Sequence, residues 1–174
     1  MNTHDELEPS PFLTDNIALL PAGKALDIAM GNGRNTIYLA RKGLYTEGVD
    51  ISGEAVKIAL ERAKSAGVKI HARVADIEAE DYIIEKNTYD VIICFNYLHR
   101  PLIQRIKDGL KKGGMVVYQT YTVDQLQFGK PSNPDFLLRH NELLEMFRDF
   151  RCLRYFEGII DNKKAAAAII AQKV

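Results

Sequence analysis

The feature that most constrains the fold is an alternation of short apolar runs with amphipathic segments, which begins at Ala25. Residues 25–29 are typical of a buried strand, 33–42 carry apolar side chains at helical spacing, and 45–50 again have a strand pattern. Strands that alternate with helices form a parallel sheet with right-handed crossovers. The alternation therefore predicts an α/β fold with a doubly wound sheet.

The rest of the chain continues this pattern. A short capped helix is predicted at 14–20, further strands at 68–75, 89–95 and 115–121 after a turn at 111–114, and further helices at 52–66, 101–110 and 141–150. Two last strands, at 151–157 and 165–171, are joined by the turn-prone Asp161-Asn162-Lys163. We therefore expect a mostly parallel seven-stranded sheet with an antiparallel C-terminal hairpin.

The length of 174 residues fits one domain, which hides roughly 70 % of the surface of its unfolded chain. We expect a single domain over 1–174, with a mobile N-terminal lead at 1–12. The stretch 122–139 contains Gly129, Pro131 and Pro134 and is too long for a simple connector. We expect it to be a lid or a substrate-side insertion.

The charge balance and the cysteine content indicate which kinds of partner and which cellular compartment to expect. The 23 basic and 23 acidic side chains cancel, so the net charge gives no reason to expect a nucleic-acid partner. Cys94 and Cys152 lack metal-ligand spacing, and we expect both in the core, with neither a metal site nor a disulfide. No apolar run approaches the ~20 residues of a membrane helix. We expect a cytoplasmic protein without a membrane partner, and the oligomeric state stays open.

A turn with two glycines follows the first strand, where open α/β sheets bind their ligands. Gly31 and Gly33 remove side chains where the loop approaches a ligand. A dinucleotide motif would have glycine three residues after Gly33, but Thr36 stands there. Asp27 would repel a pyrophosphate and could accept hydrogen bonds from an ammonium group. The loop therefore favours a ligand with an amino-acid tail.

These residues resemble the first motif of the class I S-adenosylmethionine-dependent methyltransferases, acidic-x-Gly-x-Gly-x-Gly. The chain has Asp27-Ile28-Ala29-Met30-Gly31-Asn32-Gly33, with Ala29 in place of the first glycine. Asp50 matches the family's acid that holds both ribose hydroxyls, and Asp76 with Ile77 matches the pair that contacts the adenine. Segments 89–95 and 110–119 match its fourth strand and its approach to the fifth. The resemblance covers nearly the whole chain and implies a Rossmann-like fold.

The resemblance implies S-adenosyl-L-methionine as cofactor and S-adenosyl-L-homocysteine as product. It implies these cofactor-binding residues: Asp27, Ala29, Met30, Gly31, Gly33, Asp50, Ile51, Asp76, Ile77, Phe95 and Asn96. The run 31–35 and the compact length look most like the small tellurite-resistance-type methyltransferases, which modify small inorganic or organic acceptors. We expect a methyltransferase whose acceptor is a small molecule, with a soft or anionic nucleophile as one class.

Candidates for the acceptor side follow the fourth and fifth strands. Residues 95–100 lack the Asn/Asp-Pro-Pro-aromatic pattern that clamps the amino groups of bases, which disfavours base modification. His99 and Tyr121 are candidates for deprotonating the acceptor. Arg34, His99, Arg100 and Tyr121 are candidates for binding it, and Phe128 for closing the site.

Structural roles compete with several of these assignments. Asp50 also fits a helix-capping acid, Asp76 lies in an acidic stretch, and His99 fits a structural residue at a helix start. Two other functions stay open. One is a non-catalytic protein that binds S-adenosylmethionine or another adenosine ligand. The other is a nicotinamide-dependent oxidoreductase, which Thr36 and Asp27 disfavour.

Overall fold

A computed structural model describes residues 7–80 and 82–174 of the chain, and seven strands form its centre. The strands are β1 (Lys24–Ile28), β2 (Tyr45–Asp50), β3 (His71–Val74), β4 (Tyr89–Phe95), β5 (Leu110–Tyr121), β6 (Arg151–Ile160) and β7 (Lys164–Gln172). They lie side by side in the order β3-β2-β1-β4-β5-β7-β6. Strands β1 to β5 pair in parallel, whereas β7 runs antiparallel to both β5 and β6. The predicted sheet is confirmed.

The helices of the described residues are α1 (Pro11–Thr14), α2 (Arg34–Arg41), α3 (Gly53–Ser65), α4 (Leu102–Gly109) and α5 (Glu142–Met146). Short 3-10 turns lie at Ile17–Leu19, Val123–Gln127 and Pro134–Phe136. Helix α3 begins as its sequence predicts, because Ser52 Oγ accepts a hydrogen bond of 3.2 Å from the Ala55 N–H. In the described ranges, no helix is long and apolar enough to span a bilayer.

Helices cover both faces of the sheet, and β4 shows this most directly. Ile92 packs in one apolar cluster with residues of α4 and α5, and Ile93 packs in another with residues of α1 and α2. Both side chains are fully buried. A strand covered on both faces is apolar throughout, which is why the run 89–95 could be identified from the sequence alone.

The C-terminal hairpin closes through a tight turn at residues 160–163. Asp161 and Asn162 both have φ of +52°, and the Lys163 N–H donates to the Ile160 carbonyl at 3.0 Å. Two positive φ angles are the requirement of the turn that fits a two-residue hairpin. Because β7 is antiparallel to β5, this turn lies at the edge of the sheet where the parallel strands end.

Several predicted element boundaries were wrong. The first helix begins at Pro11, before the predicted cap, because proline suits the first turn of a helix. The predicted turn at 111–114 belongs to β5, whose pairing with β4 shifts register there. The last helix ends at Met146, since Phe147 and Phe150 turn into the core with their rings 5.7 Å apart.

Two other expectations differ from the structure. Cys94 is buried as predicted, but Cys152 lies exposed on the edge strand β6. Residues 1–6 of the predicted N-terminal lead lie outside the described residues. Further along that lead, Ser10 is buried, and its N–H donates to Asn35 Oδ1 at 2.8 Å. The end of the lead is thus fixed against α2.

Candidate functional site

The glycine loop after β1 carries three residues with a positive φ, Ala29, Gly31 and Gly33. Gly31 has φ of +54°, and a Cβ placed on it would meet no heavy atom within 4 Å. Its backbone therefore faces open space. Ala29 has φ of +55°, a conformation that favours glycine. This explains why alanine can replace the first glycine of the motif only with some backbone strain.

Gly33 also has a packing role that the sequence did not show. Its φ is +77°, and a Cβ there would lie 2.8 Å from the Ala59 Cβ on α3. The missing Cβ therefore lets α2 and α3 pack closely. The part of Gly33 in cofactor binding stays a prediction.

Asp50 lies in direct contact with the glycine loop. Its Oδ2 accepts a hydrogen bond of 2.8 Å from the Gly31 N–H, and its Oδ1 accepts one of 2.9 Å from the Ser52 N–H. Each carboxylate oxygen has a second lone pair available for another donor. The structure thus brings together the two elements on which the sequence interpretation depends.

Asp27 is a buried carboxyl on the cavity wall, with 3 % of its surface exposed. Burial raises its pKa to about 7, although a hydrogen bond from Thr36 and the charge of Arg34 act against this. The Thr36 Oγ1–H donates to Asp27 Oδ2 at 2.7 Å. Thr36 stands where a dinucleotide motif would have glycine. Its hydroxyl therefore fixes Asp27, the acid that we expect to contact an ammonium group.

A cavity of about 1320 Å³ extends from the glycine loop across the ends of β1, β4 and β5 to the hairpin turn. Among the predicted residues, it is lined by Asp27, Ala29, Met30, Gly31, Arg34, Phe95, Asn96, Tyr121 and Phe128. Asn96 has φ of +57°, and its N–H donates to the Gln119 carbonyl at 2.8 Å. This bond fixes the turn after β4 against β5.

Other predicted cofactor residues do not line this cavity. Asp50 ends β2 and Ile51 follows it, with the side chain of Ile51 exposed. Asp76 lies beyond β3 and lines a separate cavity of about 1140 Å³, whereas the side chain of Ile77 is buried in the core. The roles of Asp76 and Ile77 at the adenine stay predictions.

Two predicted acceptor residues do not line the cavity. His99 Nδ1 lies 3.8 Å from Glu78 Oε1, which also accepts a 2.5 Å hydrogen bond from the Tyr97 hydroxyl. Arg100 donates to both carboxylate oxygens of Glu142, at 2.7 and 3.0 Å, and to the carbonyls of residues 135 and 137 at 3.0 Å. Arg100 therefore anchors the 122–139 segment to α5, and Arg34 and Tyr121 are the acceptor candidates on the wall.

The segment 122–139 is closed at its base and tied to the hairpin. The Val123 N–H donates to the Leu138 carbonyl, and the Leu138 N–H donates to the Tyr121 carbonyl, both at 2.9 Å. The side chain of buried Gln125 accepts from the Ala165 N–H at 2.8 Å and donates to the Lys130 carbonyl at 3.0 Å. The segment contributes Gln125, Phe128 and Lys130 to the cavity wall.

The sequence interpretation missed much of the wall on the hairpin side. The missed residues there are Gln119, Gln125, Lys130, Phe156, Ile159, Ile160, Asp161, Lys163 and Lys164. One signal was available, because an antiparallel hairpin next to the last parallel strand must turn at the edge where ligands bind. That argument would have placed Lys163 and Lys164 at the site.

Comparison with known proteins agrees with this geometry. Residues 25–114 match the family described as methyltransferase domain. Phosphoethanolamine N-methyltransferase 3 from Arabidopsis thaliana is 31% identical over 138 residues, which cover 76% of this chain and 27% of that protein. The probable S-adenosyl-L-methionine-dependent methyltransferase TehB from Haemophilus influenzae is 26% identical over 155 residues, covering 84% and 52%. The chain thus spans about half or less of these curated relatives.

Solved structures share the fold. TehB from Haemophilus influenzae superposes with a TM-score of 0.77 at 23% identity, over 93% of this chain and 61% of that one. Geranyl diphosphate C-methyltransferase from Streptomyces coelicolor, solved with S-adenosyl-L-homocysteine, gives 0.71 at 18% identity, over 94% and 78%. Since the family match covers more than half of the chain, the protein belongs to the class I S-adenosylmethionine-dependent methyltransferases, as its sequence motifs predicted.

Proposed function

We propose that the protein binds S-adenosyl-L-methionine at the glycine loop and methylates a small molecule held in the adjoining cavity. The observation that carries this proposal is the 2.8 Å hydrogen bond from the Gly31 N–H to Asp50. It joins, at one edge of the sheet, the loop that would take the amino-acid tail and the acid that would take the ribose.

The residues at this edge fit such a cofactor. Gly31 leaves its backbone open to the cavity, and Asp50 keeps lone pairs for the ribose hydroxyls. Asp27 lines the cavity and would accept a hydrogen bond from the ammonium group. Asp76, the backbone of Ile77 and the turn at Asn96 are the adenine-side candidates. Met30 and Phe95 supply apolar wall beside them.

When bound, S-adenosyl-L-methionine supplies a methyl carbon that a lone pair of the acceptor attacks as the carbon–sulfur bond breaks toward sulfur, which leaves S-adenosyl-L-homocysteine. The chain's own contribution is alignment and the exclusion of water. A hydroxyl or ammonium acceptor must also lose a proton, and Tyr121 is the wall residue that we assign to accept it. An anionic acceptor needs no base, and Arg34 on the same wall is the candidate to bind it.

The test is transfer of a labelled methyl group from the cofactor to a panel of thiols, chalcogen oxyanions and small acids. We expect labelled product and S-adenosyl-L-homocysteine in equal amounts. The Tyr121→Phe variant should lower kcat for acceptors that need a base and leave anionic acceptors unaffected. Binding of the cofactor without any turnover would instead support the non-catalytic alternative, and tighter binding of a nicotinamide dinucleotide would contradict the proposal.

The cytoplasm is the proposed compartment, and small molecules are the proposed partners. The support is that Cys94 and Cys152 are both free thiols, as is usual in reducing compartments. The balanced charge of the chain supports the absence of a nucleic-acid partner. Cell fractionation with the secreted and membrane fractions as controls tests the compartment.

A further inference from the structure

The hairpin end of the cavity combines lysines with exposed apolar side chains, a pairing that the proposed function leaves unexplained. We infer that the acceptor is an organic anion with an apolar body of about the size of a ring, whose negative group binds Lys130 and Lys163. The inference rests on the proposed function, because it assumes that the methyl donor occupies the glycine-loop end.

Gln125 links the backbone next to the two lysines. Its side-chain amide joins the Lys130 carbonyl to the Ala165 N–H, with hydrogen bonds of 3.0 and 2.8 Å. Lys130 therefore lies beside the start of β7, where Lys163 ends the hairpin turn, and both lysines line the cavity with exposed side chains. Among residues 7–80 and 82–174, no salt bridge involves either of them.

The charges along the cavity wall are sorted by position. The end near the glycine loop and α1 carries three acids, Glu8, Asp15 and Asp27, with Arg34. The hairpin end carries three lysines, Lys130, Lys163 and Lys164, with Asp161. The acidic end suits the positive sulfur and ammonium of the donor, and the basic end suits an anion. Donor and acceptor would then be selected by opposite charges.

The apolar wall argues against a bare inorganic oxyanion. Phe156 and Ile159 of β6 expose 41% and 48% of their surfaces, and Phe128 and Tyr121 lie on the same cavity. Exposed apolar surface gains from contact with an apolar ligand. An inorganic oxyanion would leave these four side chains in water, whereas a ring or a branched chain would cover them.

The size of the cavity also favours an acceptor larger than an inorganic oxyanion. Its volume of about 1320 Å³ exceeds the roughly 300–1,000 Å³ of a site for one drug-sized ligand. The donor would fill the glycine-loop end of that volume. The hairpin end then leaves room for an acceptor larger than a two-carbon acid.

Three matched thiols test the inference, because a thiolate is an intrinsically good methyl acceptor. The probes are 4-mercaptobenzoate, which has a ring and a carboxylate, benzenethiol, which has the ring without the carboxylate, and thioglycolate, which has the carboxylate on a small body. Binding is measured by titration calorimetry at saturating S-adenosyl-L-homocysteine. We expect the Kd of 4-mercaptobenzoate to be at least about tenfold lower than that of either other thiol.

Variants then assign the effect to residues. Lys130→Ala and Lys163→Ala should each raise the Kd of 4-mercaptobenzoate about three- to tenfold and leave that of benzenethiol unchanged. Phe156→Ala should weaken both ring compounds. Lys112→Ala is the matched control, since Lys112 is also exposed but lies at the opposite end of β5. It should change none of the three constants.

The outcomes separate this inference from the proposed function. Normal binding of S-adenosyl-L-homocysteine, together with equal affinities for thioglycolate and 4-mercaptobenzoate, would overturn the inference alone. No detectable binding of the three thiols, or no effect of the two lysine variants, would do the same. Failure of the wild-type protein to bind S-adenosyl-L-homocysteine would overturn the proposed function and this inference together.

Discussion

The two ends of the cavity are built in different ways. The proposed donor half, which comprises the glycine loop, Asp27 and Asp50, consists of backbone and short side chains fixed at the ends of buried strands. The proposed acceptor half, which comprises the 122–139 segment and the turn between β6 and β7, presents long side chains that are largely exposed. The first half is defined by local chain geometry, and the second by how distant segments meet.

This difference predicts which properties a variant in each half should change. A change at a strand end acts through backbone conformation and close packing, so it should affect both stability and donor binding. A change in the acceptor half removes a side chain from a scaffold that stays in place, so it should affect the acceptor alone. The following variants test that separation.

The largest effect is expected for Gly33→Ala. The new Cβ must adopt a left-handed φ and would lie 2.8 Å from the Ala59 Cβ. We expect the free energy of unfolding to fall by about 2–4 kcal/mol, measured by chemical denaturation. The matched control is Gly67→Ala, where φ is +69° and no heavy atom lies within 4 Å of the added Cβ. Equal losses of unfolding free energy in the two variants would show that the close packing of Gly33 on Ala59 does not contribute to stability.

The next effect is a pH dependence of donor-site binding that comes from Asp27. Its carboxyl, with a pKa of about 7, is largely protonated in the free protein at pH 6. Contact with an ammonium group requires the ionised form, so the affinity for S-adenosyl-L-homocysteine should be about tenfold weaker at pH 6 than at pH 8. Titration calorimetry across this range measures it.

Two controls isolate the Asp27 effect. 5′-Methylthioadenosine lacks the ammonium group, and the Asp27→Asn variant lacks the titrating carboxyl, so both should show a flat profile. The contribution of Asp27 to the free energy of unfolding changes with pH in the opposite direction to the affinity. Because the folded-state pKa is raised, the contribution of Asp27 to stability is complete below about pH 4 and is lost as the pH rises to about 7. An unchanged affinity between pH 6 and pH 8 would refute contact with the ammonium.

Arg100→Ala should act on the acceptor half and leave the donor half intact. Burial raises the pKa of Glu142, but its bonds from Arg100 and the Arg139 N–H outweigh this and hold the pKa at about 2. Because the Arg100 side chain is 37% exposed, solvent screening limits the loss of unfolding free energy to about 1–2 kcal/mol. The acceptor KM should rise, with the Kd of S-adenosyl-L-homocysteine unchanged.

A weaker Kd for S-adenosyl-L-homocysteine in Arg100→Ala would contradict the independence of the two halves. Arg148→Ala serves as the control, because Arg148 forms an exposed ion pair with Glu145 of α5. It should change neither KM nor Kd.

The smallest effect is expected for Ala29→Gly. Glycine relieves the cost of a φ of +55°, which is about 1 kcal/mol. Glycine also raises the conformational entropy of the unfolded chain, which lowers the free energy of unfolding by about 0.4–1 kcal/mol. The two terms nearly cancel, so thermal unfolding should show a change within about 0.5 kcal/mol. A stabilisation well above 1 kcal/mol would mean that Ala29 stores more strain than its backbone angle indicates.

The sequence predicted the parts of the fold that depend on local pattern. Strands β2 and β4 were placed at their observed bounds, because each is a compact run between clear turn residues. The last helix was predicted too long, since its amphipathic pattern does not show that Phe147 and Phe150 leave the helix to enter the core.

The same division applies to the site. The sequence placed Asp27, Gly31 and Asp50 at neighbouring strand ends, because their spacing along the chain encodes that geometry, and their roles at a cofactor stay predictions. Arg100 was assigned to the acceptor because sequence distance alone could not show its bonds to Glu142, 42 residues away. Lys130 and Lys163 were missed for the converse reason, because only the folded chain brings them to one cavity.

Asp50 and the glycine loop are proposed to form one binding site for the methyl donor. Calorimetry with S-adenosyl-L-homocysteine measures this directly. The wild-type protein should bind, and Asp50→Ala should raise the Kd at least about 30-fold through the loss of two charge-assisted hydrogen bonds. Asp50→Asn, which keeps one acceptor oxygen for the loop, should fall between them. An unchanged Kd in a folded Asp50→Ala variant would contradict the account.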